Sequence, residues 1–406
     1  MIIRSLKKQR KWQKGLLNFN LENQKIMINT IINKIKIWHC IAIIIIGILI
    51  RLFLFPYKVG DYIYYFEPWF VFIKSHGNFQ SLKYNFYNYS PAYIYFCTLI
   101  VKLNLNSLFA IKALSVIFEL FAAYYVALLV NLKYNNKKII WLVIAIFSIM
   151  PTFIINSSYW SQSDSIYSAF TIVSVYYAIK KKYFAAIIFF SIAFSFKMQA
   201  IFISPFFFLL FLKNKIKWYY FIMIPLIYII TIIPTWIAGR PFLDLITIFV
   251  KQSTYYDSLT MNFPNYYIFI NNNYYEPVKY IGIITTFLFV LFTTLLLKSN
   301  KWKFNNENWI KFAYISVVIT PFLLPGMHER YLYLADILGI VFLLYFPQKW
   351  YIPITLITVS TYSYIRCSRL NEILPQEPAF ILFLLMIIFL ISDFYKNIKP
   401  TTLEKL

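Results

Sequence analysis

Glycine, cysteine and acid are all scarce in this chain of 406 residues. It has 8 glycines, 3 cysteines and 15 acidic residues, set against 39 lysines and arginines. Cys40, Cys97 and Cys367 are too few and too scattered for a disulfide framework or a metal-binding spacing. Neither a P-loop nor a glycine-rich dinucleotide fingerprint occurs, so neither of those routes to a nucleotide is open. The period-2 alternation of an outer-membrane barrel is missing, and no internal repeat is visible. The first apolar run, Ile37 to Phe55, has no small-residue cleavage site and reads as an uncleaved signal anchor.

What is present is apolar sequence. The chain is 60% hydrophobic with a mean hydropathy of +0.63, and apolar runs of about 15–20 residues recur along it, as in polytopic helical membrane proteins. The expected fold is therefore all-α, with about twelve transmembrane helices (11–13). They fall near 37–57, 107–130, 139–155, 164–179, 183–196, 198–212, 218–238, 278–297, 310–324, 331–346, 351–365 and 379–395. Segment 89–102 is apolar but short, and reads as an interfacial or re-entrant helix on the outer side. The expected organisation is a basic cytoplasmic segment 1–36, one membrane domain 37–395 and a cytoplasmic tail 396–406. Abundant Ile, Asn, Lys, Tyr and Phe match an AT-rich coding bias, so tyrosine and asparagine runs alone carry little meaning.

A net charge of +24 would point to nucleic acid in a soluble protein. Here it sorts by side. With the N-terminus inside, Lys133, Lys137, Lys138, the 180–182 lysine triplet, Lys213, Lys215, Lys217, Lys298, Lys301 and Lys303 all fall in inner loops, as the positive-inside rule expects. Among the acids only Glu22, Glu307, Asp393 and Glu404 join them. The other acids fall in spans or outside, where two long loops, 57–106 and 239–277, also lie. The polar clusters are thereby placed at the outer face of a membrane.

Five clusters stand out there. In "KVGDYIYYFEPW" (58–69) Asp61 follows Gly60 where the chain leaves the first span. Ile63, Phe66, Phe70 and Ile73 then recur at near-helical spacing, as in a helix lying on the membrane surface. Asp61 is either the cap of that helix or a carboxylate able to take a proton from a hydroxyl nucleophile. "YNYSPAYIYF" (87–96) sets Tyr89 beside Pro91, as an aromatic belt or as the wall of a sugar or lipid groove. "SSYWSQSDSIY" (157–167) brings Trp160, Gln162 and Asp164 into one turn, with a helix cap as the plain alternative. "AFSFKMQAIF" (193–202) interrupts apolar sequence with Lys197 and Gln199. That lysine suits a lipid phosphate or snorkels towards headgroups. "LLPGMHERYLYLAD" (323–336) gathers His328, Glu329, Arg330 and Tyr331 after Pro325 and Gly326. Arg330 offers a planar fork for phosphate; the plain alternative is a polar turn closed by its own ion pairs. The second histidine that a zincin helix needs four residues on is absent.

Taken in order, these clusters resemble the membrane glycosyltransferases of the GT-C class. Within it they most resemble the bacterial relatives of the GPI mannosyltransferase that adds the second mannose. "MHERYLYLAD" (327–336) carries most of the likeness, with "YWSQSD" (159–164) and "AFSFKMQ" (193–199) in support. Two departures are Ser161, where glycine is common, and Ser90-Pro91 in place of two prolines. The resemblance implies an inverting transfer of a hexose, mannose by analogy, from a polyprenyl- or dolichyl-phosphate-linked donor to a lipid or glycan hydroxyl at the outer or lumenal face. It implies Asp61 as the base, with Lys197, His328 and Arg330 on the phosphate. Asp164 and Gln162 would hold sugar hydroxyls or support Asp61. No cofactor is expected beyond the lipid-phosphate sugar as donor substrate, and a divalent metal is not favoured because the carboxylates do not cluster. Membrane lipids are the expected partners, and nucleic acid is not. Two rival readings stay open. One is another lipid-linked glycan polymerase or ligase. The other is a secondary transporter, for which Glu119 and Asp336 inside spans would speak.

Overall fold

The computed structural model describes residues 26–398 except 27, 31, 300, 301, 303, 371 and 372. Most of the basic N-terminal segment with Glu22, the loop residues Lys301 and Lys303, Glu372, and the tail beyond 398 with Glu404 lie outside the described residues.

Among the described residues regular structure is almost wholly helical. The principal helices are α1 (Ile37–Leu54), α2 (Glu67–Ser75), α3 (Pro91–Lys102), α4 (Ser107–Tyr134), α5 (Ile139–Ile149), α6 (Asp164–Ile179) and α7 (Tyr183–Phe196). They continue as α8 (Ser204–Leu212), α9 (Met223–Ile237), α10 (Tyr275–Lys298), α11 (Asn306–Leu323), α12 (Tyr333–Tyr345), α13 (Tyr351–Ile365) and α14 (Glu377–Ile398). Two-residue strands β1 (Thr260–Met261) and β2 (Met327–His328) pair in parallel.

Each of the twelve segments expected to span is helical, but their lengths differ. Among the described residues five helical stretches are long and apolar enough to cross a membrane: Ile37–Leu54, Ser107–Tyr134, Trp218–Ile237, Asn272–Lys298 and Glu377–Lys396. A sixth is added if α5 and the helical segment Pro151–Tyr159, bent by 57° at Met150, count as one span. Helices α6, α7, α12 and α13 have 13–16 residues, or roughly 20–24 Å of rise against a hydrocarbon core of about 30 Å. Helix α11 has 18 residues but opens on Asn306, Glu307, Asn308 and Lys311. Helices α6 and α12 are buried on nearly every side. The first packs on α4 and α7, and the second on α4, α11 and α13.

Charged side chains gather at both ends of the bundle. At one end Lys133 meets Glu307 (2.8 Å) and the Tyr345 carbonyl (2.8 Å), and Lys311 meets Asp393 (2.6 Å). The other end carries the loops with Asp61, Gln162, Lys197 and Arg330.

After α1 the chain makes a π-helical turn, Tyr62–Phe66, before α2. A π turn holds an extra residue, so the buried series is Tyr62, Phe66, Trp69, Phe70 and Ile73. Phe66, Phe70 and Ile73, expected with Ile63 on a face turned to the membrane, are buried inside the protein, and Ile63 is exposed. Helix α3 is a 12-residue helix with Tyr93, Ile94 and Cys97 buried.

Helices α1 and α5 meet through a small residue. A Cβ placed on Gly47 would overlap the Ser148 backbone carbonyl, so close approach here depends on glycine. Gly47→Val is expected to destabilise the protein by about 1–3 kcal/mol, the usual cost of overpacking. Thermal unfolding in detergent measures it, and an unchanged midpoint would refute the close packing.

Candidate active site

Five separate stretches of chain converge on one cleft, four of them carrying residues expected from the sequence. Asp61 enters from the turn after α1, Tyr89 from the start of α3, Lys197 and Gln199 from the break after α7, and His328, Arg330 and Tyr331 from the loop between α11 and α12. The cleft encloses about 540 Å³ of open space.

Local sequence explains each placement. The chain leaves helix at Lys197, whose backbone is extended (φ −155°, ψ 133°), before a 3₁₀ stretch, Met198–Ile203. The His328 loop turns at Gly326 (φ +73°), a conformation that glycine adopts without penalty. It is then tied to the 259–262 segment, because Gly326 N–H donates to the Leu259 carbonyl (2.8 Å) and Glu329 N–H to the Met261 carbonyl (2.9 Å). Ser161 sits at φ +61°, where a side chain is strained and glycine is not. The position where the resemblance expects glycine is thus one where the backbone wants it.

The charged groups interlock. Asp164 is fully buried and accepts hydrogen bonds from Lys197 Nζ (2.6 Å) and Asn156 Nδ2 (2.9 Å). Arg330 donates to Glu329 (2.9 Å) and lies 3.8 Å from both Asp61 and Asp164. Asp61 accepts from Gln162 Nε2. It makes no side-chain cap to the helix that follows, and the residue before α6 is Ser163 rather than Asp164. The capping alternatives for both aspartates therefore fall away. Snorkelling falls away for Lys197, which is 4% exposed. Glu67 pairs with Lys58 (2.5 Å) at the surface, apart from Asp61.

Electrostatics keep Glu329 and Arg330 ionised. Burial acts to raise the Glu329 carboxyl, but hydrogen bonding with His328 and the Arg330 charge overcome it and bring its pKa to about 2. Burial disfavours the Arg330 cation, yet Asp61, Glu329, Tyr89 and Asp164 together push it well above the usual arginine value. His328 moves down, first through burial and then through Arg330. Among the described residues no three or more His, Cys, Asp or Glu side chains come together as a metal site.

Two residues expected at the site stand away from it. Pro91 is buried in the first turn of α3 behind Tyr89, and Trp160 packs on the Tyr364 ring (5.1 Å). Neither borders the cleft. Gln162, Asp164 and Glu329 also stay off the wall, each acting through the Asp61, Lys197 or Arg330 it holds.

The chain matches no protein-family model and no curated protein. Its chemistry is read from the cleft itself.

Other residues were invisible from sequence. Asn88, Gln252, Tyr65, Tyr255 and Tyr256 complete the wall, and the Tyr65 and Tyr256 hydroxyls meet across the mouth at 2.7 Å. Asn156 joins Asp164 to the Tyr364 hydroxyl (2.8 Å). In a chain with 35 tyrosines and frequent asparagine, nothing marked these out. A second cleft of about 870 Å³ shares Gln199, Gln252, Tyr256, His328 and Tyr331 with the first. Its remaining wall is mostly apolar: Met198, Ile201, Phe202, Ile283, Leu324 and Met327.

Proposed function

We propose that this chain is an inverting membrane glycosyltransferase of the GT-C kind, moving a hexose from a polyprenyl-phosphate donor to an acceptor hydroxyl. One observation carries the reading. A polar cleft holding a carboxylate, Asp61, and two cations, Lys197 and Arg330, shares a wall with an apolar groove, and His328 stands in that wall. A lipid-linked phosphate sugar has the matching shape: tail in the groove, phosphate at the wall, sugar in the cleft. Twelve spans, with this end of the bundle outside, belong to the same reading; the apolar runs support the number and the loop charges the side.

Asp61 then takes the acceptor proton as its oxygen attacks the sugar C1. The bond from C1 to the phosphate oxygen breaks, and Lys197, Arg330 and His328 face the negative charge that collects on the phosphate. Donors fixed in place before the reaction stabilise such charge without reorganisation. Mannose as the sugar rests on the resemblance.

The transporter reading loses its two supports. Glu119 pairs with Arg51 (2.9 Å) and Asp336 accepts from Ser360 (2.8 Å), and neither borders a described cleft. The polymerase or ligase reading needs reactive groups in 239–277. Arg240 there is buried against Asn85 and Tyr87.

The test is transfer by purified protein from radiolabelled polyprenyl-phosphate mannose and polyprenyl-phosphate glucose. Labelled product with release of polyprenyl phosphate is expected from at least one. Transfer from a nucleotide sugar with no lipid donor present would overturn the proposal.

A further inference from the structure

The inference rests on the lipid-phosphate reading of the cleft and assigns a second job within it. We propose that His328 is a proton carrier of the transfer: neutral in the empty cleft, it takes up a proton when the donor phosphate enters and hands it to the phosphate as that group departs.

The charge count requires something of the kind. Three carboxylates, Asp61, Asp164 and Glu329, face two cations, Lys197 and Arg330, so the formal charges sum to −1. Both cations are already engaged. Lys197 lies 2.6 Å from Asp164, while Arg330 lies 2.9 Å from Glu329 and within 3.8 Å of the two aspartates. A phosphodiester adds one more negative charge to a cleft whose two cations are both already paired. Uncompensated buried charge is costly, and a titratable group nearby changes state instead.

His328 is placed to be that group. It borders both the polar cleft and the apolar groove, where the phosphate of a lipid-linked sugar must sit. Its Nδ1 is 3.6 Å from Glu329, and its ring rests against Tyr256 (5.3 Å) and Tyr331 (5.1 Å). The groups around it from other elements are Asp61 after α1, Lys197 after α7 and Lys279 on α10 across the groove, and Arg366 after α13 meets Asn262, whose backbone bridges to His328. Arg366 donates to the Asn262 side chain and to the Leu374 carbonyl. Among the described residues that line the groove, Lys279 is the rival counter-charge. In the empty cleft, burial and Arg330 hold the imidazole neutral; a phosphate beside it reverses that preference.

The step balances. The acceptor oxygen bonds to C1 as the bond from C1 to the phosphate oxygen breaks. The acceptor proton goes to Asp61 and the His328 proton goes to the leaving phosphate oxygen, so the lipid phosphate departs as a monoanion. Neutral His328 is restored, and Asp61 returns its proton to solvent, matching the one taken up on binding.

Calorimetry on the full chain in detergent tests this. The probe is methyl farnesyl phosphate, a phosphodiester with one fixed negative charge and no proton that titrates near neutrality. Binding is measured at about pH 7.5, above the resting titration of the imidazole, in two buffers of different ionisation enthalpy. Wild type is expected to take up close to one proton per ligand, and His328→Gln to bind with uptake near zero. As a second readout, the wild-type kcat should fall on the alkaline side as the imidazolium of the complex titrates, and His328→Gln should lack that limb. Binding with equal heats in both buffers overturns the inference and leaves the lipid-phosphate reading standing. If Lys279→Met abolishes that binding, Lys279 is the counter-ion. Uptake that persists in His328→Gln overturns the inference as well. Failure of the phosphodiester to bind at all removes the lipid-phosphate reading and this inference with it.

Discussion

Asp61→Asn should lower transfer by about 10²–10⁴-fold, the usual contribution of a positioned general base, while donor affinity changes only a few-fold. The substitution keeps size and shape. An amide oxygen still accepts from Gln162 Nε2, the group that fixes Asp61 over the cleft. What is lost is the ability to take a proton and the charge facing Arg330 at 3.8 Å. Because Arg330 keeps Glu329 at 2.9 Å and Asp164 at 3.8 Å, one lost neighbour leaves it ionised and in place. The effect should therefore appear in kcat with KM for the donor nearly constant, the pattern of an interaction used only at the transition state. Gln162→Ala gives the graded control. It keeps the base and removes its tether, so the rate should fall less than in Asp61→Asn. An Asp61→Asn enzyme within threefold of wild type would end the claim that Asp61 is the base.

How much of this was readable before folding depended on rarity. With 15 acids and 3 histidines in the chain, Asp61, Asp164, Glu329 and His328 each stood out against apolar surroundings, and so did Lys197 and Arg330 as cations away from the lysine-rich loops. Those are the groups that meet at the cleft and just behind it. Trp160 and Pro91 were conspicuous for the same reason and serve packing instead. The uncharged wall was hidden, because Asn88, Gln252, Tyr255 and Tyr256 belong to residue types that fill this chain. Geometry was hidden too. Apolar runs located twelve helical segments but not the π turn that breaks the helical spacing after Asp61, since one residue inserted into a turn leaves no trace in composition. Nor could apolar length tell a helix facing lipid from one enclosed by other helices, as α6 and α12 are.

The least legible pair should have the largest effect on stability. Arg51 lies within an apolar run and Glu119 within another, 68 positions apart in the chain, yet their side chains meet at 2.9 Å with both residues buried. Arg51 also donates to Ser157 (2.8 Å) and Ser158 (3.0 Å), and Glu119 accepts from Tyr333 (3.1 Å). The network therefore joins the last turn of α1 to the 154–159 turn and to the first residue of α12. Asp61 follows the first of these elements, Gln162 the second, and Arg330 precedes the third, so the pair helps set the spacing of the cleft. Arg51→Met alone leaves a carboxylate without its cation, and Glu119→Leu alone leaves a cation without its acid. Each is expected to cost about 3–5 kcal/mol, because a buried charge stripped of its partner keeps its desolvation penalty and loses its compensation. The double variant should be more stable than either single one, since an apolar pair of similar volume carries no such penalty. Thermal unfolding of detergent-purified protein orders the four proteins, and transfer assays on the same samples separate two roles for the pair. If it serves only to hold α1, α4 and α12 together, activity returns with stability in the double variant. If the serine and tyrosine hydrogen bonds are what space Asp61 from Arg330, stability returns and activity does not. The shared contacts favour the second outcome, because Ser157, Ser158 and Tyr333 lose their charged partners in the double variant whatever the packing recovers.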